Sequence, residues 1–136
     1  MTTAYIWLPG QPIGKGRPRF TRTGRVYTPE KTRRYEHQLA ATASNYMLLH
    51  QLDCTEKPCK ALIKAQFEIP KSWTKAKKAA AEANEIYPQK PDADNIAKIV
   101  LDSFNGVVFE DDAQVYDLRV AKTYGDPCLV TEVTWE

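Results

Sequence analysis

Apolar and polar residues alternate without a break between positions 63 and 69 of this chain. The apolar members are Ile63, Ala65, Phe67 and Ile69, and the residues between them are Lys64, Gln66 and Glu68. Because successive side chains of a strand point to opposite faces of a sheet, this alternation predicts a strand with one buried face. Residues 4–8, 116–120 and 129–135 have the same two-residue period. The sequence therefore predicts about four strands.

Three segments between these strands have a helical pattern instead. Apolar residues at spacings of three and four predict one helix from about residue 30 to Leu49 and another over residues 94–104. The two stripes comprise Tyr35, Leu39, Ala43 and Tyr46 in the first helix and Ile96, Ile99, Val100, Ser103 and Phe104 in the second. Residues 73–84 are rich in alanine and lysine with a thin apolar stripe, so we expect a short exposed helix or a partly mobile insertion.

The net charge of +2 conceals a separation of charge along the chain: residues 1–29 contain no acid, whereas residues 110–136 are rich in acids. A loop from about residue 10 to residue 27 combines cations and aromatic residues with glycines that would make it flexible. Such an arm can track a phosphate backbone while a ring stacks on an unpaired base. Its candidate DNA-binding residues are Lys15, Arg17, Arg19, Phe20, Arg22 and Arg25. The alternative is a solvated loop that merely connects a strand to a helix.

Three aspartates are candidate ligands of a divalent cation. Asp92 and Asp94 follow a proline that keeps the chain extended, where both side chains would point to the same side. Two carboxylates this close repel each other, and a hard cation relieves the repulsion. Asp112 lies in a turn after the helix at 94–104, and we expect the chain to return beside that helix's N-terminus. Magnesium held by two or three carboxylates has room for a phosphate oxygen and an attacking water, an arrangement that suits phosphodiester hydrolysis.

Lys98 lies one helical turn beyond Asp94 and can stabilise the negative charge that develops as a phosphodiester is attacked. It can instead orient Asp94. Structural interpretations of the acids also remain open: Asp94 as a helix cap, Asp94, Lys98 and Asp102 as ordinary i,i+4 pairs, and Asp111–Asp112 as a turn. The basic loop favours the metal site, because a cation site and a phosphate-binding arm on one small chain suit one substrate.

Other sites have less support in the sequence. Cys54, Cys59 and Cys128 lack the spacing of a zinc site, so we expect free thiols. Both histidines are isolated from any serine or cysteine motif, which argues against a histidine-activated nucleophile. No apolar run approaches the roughly 18 residues that span a bilayer, and residues 1–8 lack the order of a signal peptide. We therefore expect a cytoplasmic protein that uses neither a membrane nor an organic cofactor.

Two blocks of the sequence resemble the RusA family of Holliday-junction resolvases, also called crossover junction endodeoxyribonucleases, which occur in bacterial and prophage genomes. The first block is Pro91-Asp92-Ala93-Asp94-Asn95-Ile96-Ala97-Lys98 followed by Leu101-Asp102, and the second is Phe109-Glu110-Asp111-Asp112-Ala113-Gln114-Val115. They look like the family's D-x-D-N-x-x-K and D-D-A-Q-V core. The opening strand and the Gly-Lys-Gly-Arg-Pro-Arg loop are also similar to family members. Two motifs at the right separation are much more specific than a single D-x-D.

The resemblance implies an α+β fold: a small mixed sheet of about four strands packed with two to three helices, in a single nuclease domain over residues 1–136. It implies a homodimer whose two magnesium-dependent sites, which can also use manganese, make paired symmetric nicks across a four-way DNA junction in recombination and repair. By motif position Asp92, Asp94 and Asp112 are the metal ligands and Lys98 is the catalytic lysine. Asp111 is the weaker candidate of its acidic pair.

The chain departs from the best-known members of that family in two places. Gln89-Lys90-Pro91 stands where those members carry several arginines, and the lysine–alanine segment is an insertion. Both departures leave the details of junction binding open without touching the acids. Two other functions are kept as alternatives: a non-catalytic nucleic-acid-binding module whose acids are caps and turns, and a nuclease for other branched or single-stranded DNA.

Overall fold

The computed structural model describes residues 1–16, 19–27 and 29–136, with the backbone alone for residues 19, 20, 26 and 27. The strands are β1 (Thr2–Pro9), β2 (Arg19–Phe20), β3 (Val26–Tyr27), β4 (Cys59–Phe67), β5 (Val115–Tyr124) and β6 (Cys128–Trp135). The helices are α1 (Glu30–Leu49), α2 (Lys75–Glu82) and α3 (Ala93–Phe104), with a one-turn 3₁₀ helix at Asp112–Gln114.

The main sheet has the strand order β1-β6-β4-β5, and β2 and β3 form a separate ribbon. β4 and β5 pair in parallel, whereas β6 pairs antiparallel with both β1 and β4. A parallel pair needs a long crossover connection, and the segment containing α2 and α3 provides it. The four-stranded mixed sheet with its three helices confirms the expected α+β architecture.

Helices α1 and α3 pack against each other, α1 also against β1 and α3 also against β5. The stripe predicted for α3 is the buried one, and Ile96, Ile99, Val100 and Phe104 are fully enclosed. Burying each such side chain stabilises the fold by roughly 1.5–3 kcal/mol relative to leaving it exposed. Because these residues span the helix, both ends of α3 are held in defined places.

The buried stripe of α1 includes Met47, which the sequence pattern did not predict to be buried. Its buried residues are Thr32, Tyr35, Leu39, Ala43 and Met47. A step of four residues from Ala43 keeps Met47 on the buried face. Tyr46 is only partly buried, and its ring stacks on that of His50 with centroids 4.1 Å apart.

Helix α2 is the short exposed helix that its composition predicts. Thr74 caps its N-terminus by accepting a hydrogen bond from the Lys77 backbone N–H at 3.2 Å, and Ala81 is its buried residue. The loop after β1, expected to be flexible over its whole length, contains the β2–β3 ribbon. Gly24 has a φ of +84° in the turn of that ribbon, a conformation that favours glycine.

Cys54, Cys59 and Cys128 are free thiols, as the sequence predicts. Burial raises the pKa of the Cys54 and Cys59 thiols, so both stay protonated near neutral pH. Among the helices in the described parts of the chain, none combines the length and the apolar character needed to cross a bilayer.

Candidate active site

Asp92 and Asp94 lie where an extended segment gives way to α3. Asp92 is the N-cap residue, with φ −62° and ψ 148°, and Ala93 begins the helix. Asp94 therefore belongs to the first helical turn and is not the helix cap. For the same reason, the prediction that both side chains project from one extended segment is wrong. Both acids are exposed at the positive end of the helix dipole, which stabilises carboxylates.

Two lysines hold the segment that leads into this helix. Lys122 Nζ, on β5, donates to the carbonyl oxygens of Gln89 and Pro91 at 3.0 and 3.1 Å. Lys90 Nζ forms an ion pair with Asp92 Oδ1 at 3.0 Å. The two carbonyl contacts attach the segment to the sheet, and the ion pair partly offsets the charge of Asp92.

The turn that carries Asp112 is attached to the segment before β4 by one glutamine side chain. Gln114 Nε2 donates to the carbonyl oxygens of Thr55 and Lys57, both at 2.9 Å. Its Oε1 accepts the Asp111 backbone N–H at 2.9 Å. Asp111 is the N-cap of the 3₁₀ helix and Asp112 its first residue. The glutamine of the second motif thus has a structural role, and so does the first of its two aspartates.

The chain forms a tight loop directly after the C-terminal end of α3. Phe109 forms one β-bridge with Asn105, directly after the helix, and another with Thr55. Gly106, with a φ of +74°, donates its backbone N–H to the Phe109 carbonyl at 2.7 Å and closes the loop. Asp112 follows Phe109 by three positions, so it lies near this end of the helix.

The N-terminal end of α3, with Asp92, lies beside the far part of β5. β5 begins at Val115, pairs in parallel with β4 from its first residue, and reaches Pro91 through Lys122. Seven strand positions separate Val115 from Lys122, which corresponds to about 23 Å at about 3.3 Å per residue. The expectation that Asp112 returns beside the N-terminus of α3 is therefore wrong within one chain. The bridge between Asn105 and Phe109 keeps the start of the turn beside the C-terminal end of α3, and β5 also starts at that end.

No group of three or more acid, histidine or cysteine side chains lies close enough to share a metal ion in the part of the chain that the structure describes. Asp92, Asp94 and Asp112 all belong to that part. Carboxylate oxygens are the donors that magnesium prefers. Their chemistry fits the ion, but one chain offers two candidate ligands at one end of α3 and a third at the other.

An ion network joins the basic loop to α3 and α1. Asp102 pairs with Lys98 Nζ at 3.5 Å and with Lys15 Nζ at 3.3 Å, and Lys15 also bonds to Glu36. Burial acts to lower the pKa of Lys15, but the hydrogen bonds and charges of Glu36 and Asp102 outweigh it and raise that pKa. The Lys15 side chain is 19% exposed, so it anchors the loop; its contact with DNA stays a prediction. The Lys98 side chain is 62% exposed and accessible to a substrate.

The loop approaches α3 so closely that position 14 requires glycine. A Cβ on Gly14 would lie 2.7 Å from the Cβ of Pro91 and 3.2 Å from that of Asn95. The backbone N–H of Lys15 donates to the Asn95 carbonyl at 2.8 Å. Gly14, expected to provide flexibility, therefore allows close packing instead. The basic arm starts in contact with the helix end that carries Asp92.

We expect Gly14→Ala to lower the free energy of unfolding by about 1–3 kcal/mol, because the added methyl group overpacks the contact with Pro91. Urea denaturation followed by circular dichroism measures the change. Ala121→Ser, at an exposed position of β5, is the control and should leave the midpoint almost unchanged. A wild-type midpoint for Gly14→Ala would contradict the close packing of the arm on α3.

Of the remaining predicted arm residues, Arg19 and Phe20 form β2, and Arg22 and Arg25 lie between β2 and β3. Arg22 and Arg25 are exposed, as phosphate contacts require. Arg17 lies outside the described residues, and so do the side chains of Arg19 and Phe20. The contacts of all five with DNA stay predictions.

Residues 9–134 match the family described as endodeoxyribonuclease RusA. The chain belongs to the RusA family. This confirms the resemblance carried by the two motifs and identifies the chain as a member of a nuclease family. It is also similar to the "Uncharacterized protein YqaN" of Bacillus subtilis (strain 168), with 35% identity over 123 residues that cover 86% of this chain and 84% of that protein.

In this RusA-family chain, sequence reasoning missed the positioning roles of residues that hold the candidate site in place, although it singled out Lys15 for contact with DNA. Lys122 and Lys15 act through partners that lie far away in the sequence, so no local pattern identifies them. Gln114 had a signal in its position within the D-D-A-Q-V motif, but its role depends on contacts with the carbonyl groups of another segment.

Proposed function

We propose that this RusA-family protein is a magnesium-dependent endonuclease that resolves four-way DNA junctions as a homodimer, by paired symmetric nicks. Membership of a nuclease family supports the reaction class. The observation that supports the homodimer is the position of the acids, with Asp92 and Asp94 at one end of α3 and Asp112 near the other. This separation favours a site completed by a second protomer. Such an activity serves DNA recombination and repair in bacterial or prophage genomes.

In this proposal Asp92 and Asp94 of one protomer share a magnesium ion with Asp112 of the other. Contacts across a twofold axis are reciprocal, so a pairing of residue i with residue j on one side recurs on the other. Two α3 helices related in this way and running in opposite directions would create two identical sites. The Asp92 side chain is 51% exposed and Asp94 is exposed, so both are accessible to a second chain and to DNA. Two symmetric sites suit paired nicks in strands of opposite polarity.

Bound magnesium would polarise the scissile phosphate and supply an activated water, and manganese would serve in its place. Lys98 would stabilise the negative charge that develops on the phosphate, since it lies one turn beyond Asp94 on the same helix. Asp102 holds Lys98, and Lys15 holds Asp102 in turn. The network therefore positions the proposed catalytic lysine.

The basic arm supplies contacts to phosphates that follow the shape of the DNA without reading its sequence. The residues proposed for these contacts are Lys15, Arg17, Arg19, Arg22 and Arg25, with Phe20 stacking on a base exposed at the branch. The arm begins against the helix end that carries Asp92, so DNA bound along it would pass the acids.

Replacing both Arg17 and Arg19 with alanine should weaken junction binding and flatten its dependence on salt. Each phosphate contact adds about 0.9 to the steepness of a plot of log K against log salt concentration. The slope for the double variant should therefore be shallower by roughly 1–2. Fluorescence anisotropy titrations at several salt concentrations measure it. Lys60→Ala with Lys64→Ala is the matched control, since it removes the same charge from exposed positions of β4. An unchanged slope for the arginine variant would remove the arm from the interface.

The proposed activity is tested with a synthetic four-way junction, a flap and a plain duplex, each incubated with magnesium or with a chelator. Paired nicks that appear in the junction alone, and with magnesium alone, are the expected result. Junction binding without cutting would favour the non-catalytic binding module. Equal cutting of the flap would favour a nuclease for other branched DNA.

A further inference from the structure

A cavity of about 410 Å³ opens between the segment that enters α2, the stretch before α3 and the end of β5. Its lining includes Trp73, Lys77, Tyr87, Gln89, Lys90 and Tyr124. The volume falls within the range of about 300–1,000 Å³ that is usual for small-molecule sites. Apart from Tyr124, these lining residues lie in the segment 73–90, for which the sequence predicted no function.

Aromatic rings form much of the wall. Trp73 meets Tyr124 edge to face, with ring centroids 5.3 Å apart and planes at 72°. Lys77 Nζ lies 4.0 Å from the Trp73 ring centroid and covers one of its faces. Tyr87 is 56% exposed, so its ring offers stacking surface to a ligand. Exposed aromatic surface inside a formed cavity is typical of sites that bind flat ligands.

The charge around these rings is positive. Lys77 and Lys90 are the charged residues that line the cavity in the described chain. Gln89 is exposed, and its amide carries both a hydrogen-bond donor and an acceptor. Aromatic surface, cations and an amide together match a nucleobase with its phosphates, because bases stack on rings and phosphates pair with lysine.

The cavity adjoins the candidate acids. Lys90 lines it and pairs with Asp92 Oδ1 at 3.0 Å. Gln89 also lines it, and its carbonyl oxygen is held by Lys122, which holds Pro91 as well. A nucleotide seated in the cavity would therefore be a close neighbour of a phosphate at Asp92.

We propose that this cavity binds an unpaired nucleobase next to the phosphate that is cut. The inference rests on the proposed nuclease function and adds a specificity site to it. A base stacked in a duplex cannot enter the cavity, whereas a base freed at a branch can. The cavity thereby favours branched DNA over duplex near the acids.

The test measures binding without cleavage, in the presence of a chelator. The probes are a single-stranded oligonucleotide of thymidines that carries one 2-aminopurine, and a blunt duplex of the same length. Stacking on an aromatic ring contributes to the single-strand affinity, so Tyr87→Ala should weaken single-strand binding about tenfold and leave duplex binding unchanged. Tyr87→Phe, which retains the ring, should bind like the wild type. Stacking should also quench the 2-aminopurine fluorescence with the wild type and less with Tyr87→Ala.

Tyr5→Ala is the matched control, since Tyr5 is an exposed tyrosine on β1, the strand at the opposite edge of the sheet from β5. It should leave both affinities at the wild-type value. An unchanged single-strand affinity for Tyr87→Ala, or an equal loss on duplex, would overturn the base site. Because the readout needs no cleavage, a wild type that stacks the base but never cuts a junction would refute the nuclease and leave the base site standing.

Discussion

Replacing Asp92, Asp94 or Asp112 with asparagine should reduce junction cleavage at least about 100-fold while leaving junction binding intact or tighter. Each substitution keeps the shape of the side chain but removes a charged oxygen donor that magnesium needs. Binding should be retained because the lost negative charge repelled the phosphates. Cleavage rates under single-turnover conditions, with gel-shift titrations of the same variants, measure the two effects separately.

Asp111→Asn is the matched control for Asp112→Asn. Asparagine caps helices as well as aspartate does, so this variant preserves the 3₁₀ turn and should cut the junction like the wild type. Because the turn is preserved, a loss of cleavage in Asp111→Asn equal to that in Asp112→Asn would mean that the Asp111 carboxylate is also needed for cleavage. Binding lost in parallel with cleavage would contradict a catalytic role for the three acids.

Mixing two inactive variants should restore activity if each site is built from two protomers. In a heterodimer of Asp92→Asn and Asp112→Asn, one site collects both substitutions and the other collects none. The intact site should then nick one strand, so single nicks should replace paired ones. One of its two sites is intact, so the purified heterodimer should show roughly half of the wild-type nicking. Co-expression with two affinity tags, followed by a nicking assay on the purified heterodimer, measures it.

The control pairs Asp92→Asn with Asp94→Asn. Both substitutions affect the same end of α3, so each site of that heterodimer keeps one defect and stays inactive. If the Asp92→Asn and Asp112→Asn heterodimer is equally inactive although the dimer is intact, the shared site is refuted. If each protomer carried a complete site of its own, no combination of the three substitutions could restore cutting.

Much of the architecture follows from residue periodicity. The alternation at Ile63, Ala65 and Phe67 predicts β4, and the stripe from Ile96 to Phe104 predicts the buried face of α3. Both patterns are local, because burial of one face dictates which positions are apolar.

The local pattern predicted the start of α3 less accurately. The helix begins at Ala93, so Asp94 is helical, and a shift of one residue there changes where its side chain points.

Side chains that act at a distance were not predictable in this way. Lys122 reaches the carbonyl groups before Asp92 because β5 runs parallel to β4, and strand direction is not encoded in the two-residue period. Gly14 reads as a flexible loop residue in the sequence, yet it packs against Pro91 at a separation no side chain would allow.

By itself the sequence determined the chemistry: oxygen donors at positions 92, 94 and 112, a lysine at 98, a basic arm, and the motifs that place the chain in its family. Only the tertiary structure decided where those donors lie. A helix of 12 residues separates its two ends by about 18 Å, and the sheet attaches the second motif to the end opposite the first. Residues become neighbours through the packing of whole helices and strands. The position of a motif in the sequence does not give its distance in space from another motif.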